Sequence, residues 1–519
     1  MKNNKYYKNI ACLLIASIAV TFNMQSQDIE NSPAALEQMK IENLWSQSTN
    51  AGGILLDNPI KYSTFDVSYS MRKGNFHRPQ QGEKENNISL YAEGGVNIKN
   101  IYVWGNFEYR KENIKDANYN FSIIDPFRGM PYYIADLNLS NWDNQFYNMQ
   151  FKTALPLGNS ILIGIDGIYN VAQAAKQRDP RTLNEFYSMS LKPGIVFLIS
   201  PKQRIGLNLE YNSRKENSNP KLINSNDYQT YYEMYGLGNS IERIGSGRIV
   251  NYVGDKIVGD LQYNYQNNKV NVLLSGGYSY KVEEAYFSPF TTPEKYGTIQ
   301  DKVWNAKLLL HLTGDKLSHY LQAAYTTSNI DGIQFVKRNI PNEGWLILHS
   351  NVRSTYGTDI MSLNYSISAN KGSEYKWKVG TGFYYIKKDD VYLLPHSFKN
   401  ADNLQYCFNG KALAYSSDKM TRRLLIGAEV GFNQNLSGKY FYGGTNPNYK
   451  VVTEFEQNDL KFLTTDYINF GCDVTYSQQI KESLKSSMYI KGAFNYCNAN
   501  SSIFNNRTFL QVSIGYNFN

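Results

Sequence analysis

After its first 26 residues the chain contains no apolar run near the roughly 20 residues that a membrane-spanning helix needs, which excludes a helical membrane protein. Cysteine is scarce: of four, Cys12 lies in the N-terminal apolar stretch, and Cys407, Cys472 and Cys497 show neither zinc-ligand nor CxxC spacing. An odd set of three excludes a full disulfide framework; a Cys407–Cys497 bridge stays open beside the reading as small strand residues. The five histidines, His77, His311, His319, His349 and His396, lie in no catalytic motif, and no Walker loop, dinucleotide fingerprint or metal-ligand cluster occurs. No metal site and no cofactor is therefore expected. Proline is sparse, with 15 residues against 43 tyrosines and 25 phenylalanines, a balance that opposes disorder and favours strands. Nor is there a large excess of either charge: 53 basic residues face 45 acidic ones, and no basic run carries interleaved aromatics, so nucleic acid is not an expected partner.

What the chain does have begins with a leader. Lys2, Lys5 and Lys8 precede a short apolar segment, Ile10 to Phe22, and residues 1–26 read as a secretory signal with cleavage after Ser26. Its removal takes three lysines and no acid, lowering the formal charge of +8 to about +5. Residues 27–59 follow as a separate segment. Ser32 can cap a helix whose first turn holds Pro33, Ala34 to Leu44 continue it, and N-A-G-G-I-L-L-D-N-P (Asn50–Pro59) is turn-rich. This segment is either a small plug in a barrel mouth or a frayed periplasmic tail, and it has no room for a large globular plug domain.

From residue 60 to 519, segments of about ten residues alternate with a period of two. Ile205, Leu207, Leu209 and Tyr211 oppose Asn208, Glu210, Asn212 and Arg214; Leu424, Ile426, Ala428, Val430 and Phe432 oppose Arg423, Glu429 and Asn433. The apolar parity is free of charge, whereas the polar parity carries both signs, as a watery lumen would. Aromatics gather at strand ends (Tyr69, Tyr109, Tyr211, Tyr263, Tyr325, Tyr385, Tyr476, Tyr496), where an interfacial girdle belongs. Short connections near Lys99–Asn100, Pro156–Asn159, Pro201–Gln203, Gln266–Lys269, Gly314–Leu317, Asn370–Glu374, Ser416–Thr421 and Gln479–Leu484 alternate with long polar segments such as 111–145, 216–255, 329–356 and 434–463. Short periplasmic turns against long external loops, closed by the terminal strand Leu510–Phe518, predict an all-β, antiparallel transmembrane β-barrel of about 18 strands. The piece Gly344–Val352 leaves a range of about 16 to 20.

With W-S-Q-S-T-N-A-G-G-I-L-L-D-N-P (Trp45–Pro59), the leader and the closing strand together, the chain resembles an outer-membrane β-barrel family of unknown function from Bacteroidota-type bacteria. The resemblance implies an outer-membrane location and a lipid environment, and it carries no catalytic residues. The N-A-G-G segment is also similar to the N-terminal hatch of the long-chain fatty-acid transporter family, although charged inward parities depart from the apolar route that family implies.

Two groups of residues are candidates for function. Glu93, Glu108, Arg110, Asp166, Glu210, Arg214, Asp260, Lys307, His311, Arg423, Glu429, Asp473 and Lys491 share the inward parity and would line a pore or form a salt-bridge network filling a closed lumen. Phe127, Arg128, Tyr132, Tyr133, Tyr231, Tyr232, Tyr286 and Phe287 lie in aromatic loops that would bind a glycan or protein, or fold inward and pack. The expected function is a pore or uptake component for a polar solute. A closed structural barrel beside a transport or secretion partner is the alternative, and an outer-membrane hydrolase is third; no enzyme activity is expected.

Overall fold

The two-residue period of the sequence becomes an inside and an outside when the strands close on one another. The computed structural model describes residues 32–518 except 225–228, 289–293, 341–343, 418–420 and 482–485, so the leader lies outside the described residues. Its strands are β1 (Tyr62–Lys73), β2 (Lys84–Ile98), β3 (Ile101–Ala117), β4 (Ile134–Asp136), β5 (Ser140–Leu157), β6 (Ile161–Lys176) and β7 (Arg181–Ser200). There follow β8 (Gln203–Lys221), β9 (Gln229–Gly236), β10 (Asn239–Gly245), β11 (Ile249–Gln266), β12 (Val270–Ser288), β13 (Glu294–Thr313) and β14 (Leu317–Ile340). The last are β15 (Gly344–Lys371), β16 (Glu374–Tyr392), β17 (Ser397–Ser416), β18 (Arg422–Phe441), β19 (Asp466–Lys481), β20 (Ser486–Asn500) and β21 (Asn506–Phe518). All but β4, β9 and β10 join one antiparallel sheet of 18 strands. Closure is made by β1 on β21, with Val67 opposite Ile514 and Phe65 opposite Tyr516.

The eight short connections fall at the eight predicted places and are two to five residues long. Three of them turn through backbone that needs a positive φ: Lys99 at 57°, Gly158 at 72° and Gly372 at 64°. On the closing strand Leu510, Val512 and Ile514 face out while Ser513 and Asn517 are buried, as the alternation predicts. Tyr69, Tyr211 and Tyr325 mark one girdle of exposed aromatics and Tyr263 and Tyr476 the other.

The open question over Gly344–Val352 is resolved by length. That stretch is the outer third of β15, a 28-residue strand paired with the 24-residue β14. Crossing a membrane takes only about 9–11 tilted residues, so much of segment 329–356 is a ribbon standing above the bilayer rather than a loop.

Both ends of the lumen are occupied. At the short-turn end, a helix (Pro33–Glu42) and a 3₁₀ turn (Ala51–Asp57) lie inside the barrel. Ser32 caps the helix as expected, its Oγ accepting from the Ala35 N–H at 3.1 Å while donating to the Glu374 carboxylate of the wall. At the other end the 118–137 loop, the β9–β10 hairpin and a π-helical turn (Val451–Glu456) leading into a helix (Gln457–Leu463) fold together over the mouth. The three-stranded sheet β10–β9–β4 belongs to this cap.

Candidate lumenal binding site

Three glycines on neighbouring strands, Gly164, Gly194 and Gly206, form the seat of the inner plug. A Cβ on Gly164 would fall 2.4 Å from the Gly52 nitrogen, and one on Gly194 would fall 2.2 Å from the Asn50 Oδ1. The space they leave admits Asn50, which is fully buried. Its Nδ2 donates to the carbonyls of Ile195 (3.1 Å) and Leu207 (3.2 Å) and to Gln262 Oε1 (3.0 Å), and its Oδ1 accepts from the Gly52 N–H (3.0 Å). Beside it Leu44 and Trp45 pack on inward-facing Leu162, Val196, Leu273 and Leu309. These aliphatic residues break the polar-inside rule, and the sequence marks them: they sit in unbroken apolar runs such as I-L-I (161–163) and L-L-L (308–310), where both parities are apolar. Such runs occur where a wall has something apolar to cover on each face.

Most of the thirteen inward candidates are held by the plug or the wall. Glu93 accepts from Lys40 of the plug helix at 2.6 Å and from Tyr91 and Trp104. Lys307 donates to the Gln47 carbonyl at 3.4 Å, and Arg423 pairs with Glu374 at 2.8 Å. Glu210 sits between Lys192 (3.4 Å) and Lys256 (3.0 Å), and Arg214 reaches Glu283 at 3.7 Å. Asp166 accepts from Gln150, Asp260 from Asn208 and Glu108 from Asn148, while Arg110 covers the Phe146 ring. His311 is buried and stacks on Tyr320 with ring centroids 4.6 Å apart.

The remaining three, Glu429, Asp473 and Lys491, line a cavity of about 810 Å³ between the plug and the outer cap. Its floor is an ionic chain. Glu37 of the plug helix binds Lys378 and Lys411 (3.2 Å) and accepts from the Tyr375 hydroxyl at 3.0 Å, and Lys411 also reaches Asp473 at 3.2 Å. Burial pushes the Glu37 carboxyl up, but Lys378 and Lys411 outweigh it and hold the group below its ordinary value, so it is ionised. On one wall Glu429 accepts from Asn469 (3.4 Å) and Asn495 (3.1 Å). At the outer end Arg72 and Arg507 share Glu85, each at 2.9 Å, beneath a cluster of Phe76, Phe462, Phe504 and Tyr467. The parity that selects Asp473 and Lys491 selects Lys378 and Lys411 equally; what makes them a pair is Glu37, and no local pattern places a plug residue against a distant strand.

The aromatic loops do not form a binding face. Tyr132, Tyr133, Tyr231, Tyr232 and Phe287 are buried in the core of the cap with Phe121, Ile123, Met234 and Phe455. Arg128 is enclosed between Glu216 and Glu283, and the Tyr286 hydroxyl donates to Glu284. Among the described candidates Phe127 is exposed and Tyr286 half-buried, and the Arg78 guanidinium stacks over the Phe127 ring at 4.1 Å. Of the two readings, a recognition surface or inward packing, the structure shows inward packing: the loop residues bury one another against Val250, Tyr252, Ala285, Phe287, Tyr296 and Ile299 of the wall strands, twenty residues in all. The cap is latched by Arg78, which holds Asp459 through two hydrogen bonds (2.6 and 2.9 Å), and by Lys399, which reaches Glu456 (2.6 Å) and Asp459 (2.8 Å). Cys407, Cys472 and Cys497 are free thiols, so no Cys407–Cys497 bridge exists.

A model of a family of unknown function, DUF6850, matches residues 51–518, from the glycine-seated plug to the closing strand. The chain belongs to that family. No functionally curated protein matches it. Among solved structures it is similar to BauA, the ferric preacinetobactin receptor of Acinetobacter baumannii, at 8% identity over 88% of this chain and 80% of that one, with a TM-score of 0.43. It is also similar to FpvA of P. aeruginosa, solved with bound pyoverdine (9% identity, 88% and 72% covered, TM-score 0.42). A third is OccAB2 of Acinetobacter baumannii (11% identity, 88% and 97% covered, TM-score 0.32).

Proposed function

We propose that this DUF6850 protein is an uptake barrel of a Gram-negative outer membrane, of the Bacteroidota type, that passes a polar solute through its lumen. One observation carries the reading: a cavity of about 810 Å³ lies inside the barrel, its lining combining charged groups and amides with aromatic side chains such as Phe76, Phe462 and Phe509, with separate closures above and below it. A barrel of this strand number encloses room for an aqueous channel unless something fills it. Here the filling is a short segment held in part by hydrogen bonds and a cap made of loops. The reading assigns no catalytic residue and needs no cofactor.

The buried aromatic core of the cap favours a second reading, a barrel that stays closed and serves as a subunit beside a transport or secretion partner. Planar-bilayer recording separates the two. Stable single-channel steps, in wild type or after both closures are weakened by Asn50→Ala with Arg78→Ala, support uptake. Silence from folded protein in both forms rejects uptake and leaves the structural reading, which itself fails if mild detergent extraction always releases the barrel alone.

A further inference from the structure

Among the residues that line the cavity, cations outnumber carboxylates. Its lining holds five cations, Arg72, Lys378, Lys411, Lys491 and Arg507, against Glu37, Glu429 and Asp473. Counting Glu85, which Arg72 and Arg507 share, four carboxylates face them. One of the four, Glu37, does not belong to the wall: it arrives on the plug helix and inserts its carboxylate between Lys378, Lys411 and Tyr375. Those partners make a built seat for an oxyanion. Tyr375 is fully buried, and the two lysine side chains retain only 15% and 16% exposure. Above the seat Lys491 faces the same space; the carboxylate that acts on it is Asp66, which lies beyond the 4.0 Å of an ion pair.

We propose that the cavity binds an anionic solute whose carboxylate, sulfate or phosphate group takes the place of Glu37 between Lys378 and Lys411. The inference rests on the uptake reading and gives it a ligand class and a coupling. With Glu37 displaced, the plug helix loses its ionic contacts with β16 and β17, keeping Ser32 on Glu374 and Ala34 on Tyr375, and an ionised Glu37 is left facing the acid that replaced it. Like charges at that distance repel, so occupancy of the cavity works against docking of the plug. A neutral or cationic solute has no such effect, because it gains nothing from the two lysines.

The test is calorimetric binding to the full-length protein in detergent with trigalacturonate, citrate and inorganic sulfate as anionic probes, and maltotriose and spermidine as neutral and cationic controls. At least one anion is expected to bind and neither control to do so. Lys411→Gln and Lys491→Gln should each weaken that binding about tenfold or more, because each removes a charge-assisted contact. Glu37→Gln should tighten it several-fold by vacating the seat. Hydrogen exchange of residues 33–42 should accelerate when the anion binds wild type. Equal binding of maltotriose, no binding of any anion, or unchanged or weaker binding by Glu37→Gln would overturn the proposal. Lys491→Gln touches no plug contact and keeps the test valid if the plug variant folds poorly. Anion binding without conductance in any variant would remove the uptake reading alone; conductance without anion binding would remove this one alone.

Discussion

Asn50→Ala is the sharpest probe of the inner closure. The side chain is fully buried, and its amide group satisfies two strand carbonyls and Gln262 while its oxygen caps the Gly52 N–H. An –NH₂ has two hydrogens for three acceptors, so the substitution removes the equivalent of about three hydrogen bonds, each worth about 1 kcal/mol net. Docking should weaken by about 3 kcal/mol, and because 1.4 kcal/mol is tenfold, the undocked population should rise about 100-fold. Alanine keeps the Cβ and adds no bulk, so the seat itself stays intact. Hydrogen exchange with mass spectrometry reads the effect directly: amides in residues 44–57 should lose about two decades of protection, while those of β7 and β8 keep theirs. Unchanged protection in 44–57 would refute the assignment of Asn50 as the anchor. Equal loss across the wall strands would show instead that Asn50 supports the barrel rather than the plug.

Further expectations concern the other contacts. Gly164→Ala places a methyl group on plug backbone rather than on a flexible side chain, so it should expose the 33–57 segment to protease as Asn50→Ala does, with the barrel still folded on semi-native gels. Arg78→Ala leaves Asp459 with Lys399 alone, and breaking one side of a buried pair costs about 3–5 kcal/mol; cleavage within 442–465 by added protease should then appear without loss of the barrel. Burial pushes the Asp459 carboxyl up, but Lys399 and Arg78 outweigh it and hold the group well below its ordinary value. Its contribution to the cap is therefore fully present above about pH 4 and is lost as the pH falls below that, so protease sensitivity of the wild-type cap should rise only under acid conditions. Val512→Arg puts a charge on the lipid face of the closing strand and should destabilise folding by about 2–4 kcal/mol if it lies at mid-membrane, measured by urea titration in detergent; Gln511→Arg, on the lumenal parity, should be tolerated.

The barrel was legible because lipid outside and water inside impose one rule on every crossing strand. The rule held from Ile205–Tyr211 to Leu510–Phe518, and the turns fell where short polar pieces interrupt it. It failed above the bilayer. Beyond the headgroups a strand has no apolar face to keep, so β14 and β15 run on through a segment that reads as a loop. The aromatic loops could be read either way for a related reason: Tyr132, Tyr231 and Phe287 suit a surface for ligands as well as a core, and only three-dimensional placement shows that they are buried. The ionic floor of the cavity lay between these cases. Lys411 and Asp473 follow the parity rule, but their meaning depends on Glu37, which comes from a segment more than 300 residues away.

The two closures differ in kind, and the difference says which one moves. The outer cap closes on the wall through a core of twenty buried residues, six of them on β11, β12 and β13 and many aromatic, whose loss to water would expose a large apolar area at about 25 cal/mol per Å². The plug buries a smaller apolar set, Leu36, Leu44, Trp45 and Ile54 with Ala34, Ala35 and Ala51, and is held as well by Asn50, by Glu37 between two lysines, by Lys40 on Glu93 and by Ser32 on Glu374. Hydrogen bonds and ion pairs facing a wet cavity can be exchanged one at a time for water or for a solute, whereas an aromatic core opens only as a unit. The plug is therefore the low-energy element of the pair. A solute in the cavity meets it through Glu37 before it meets any apolar contact, so opening from the inner side needs the ionic seat to be lost first and the Asn50 anchor second. If that order holds, Glu37→Gln should accelerate exchange in residues 33–42 while leaving 50–57 protected, and Asn50→Ala should release both; the reverse pattern would place the anchor at the helix and not at the glycine seat.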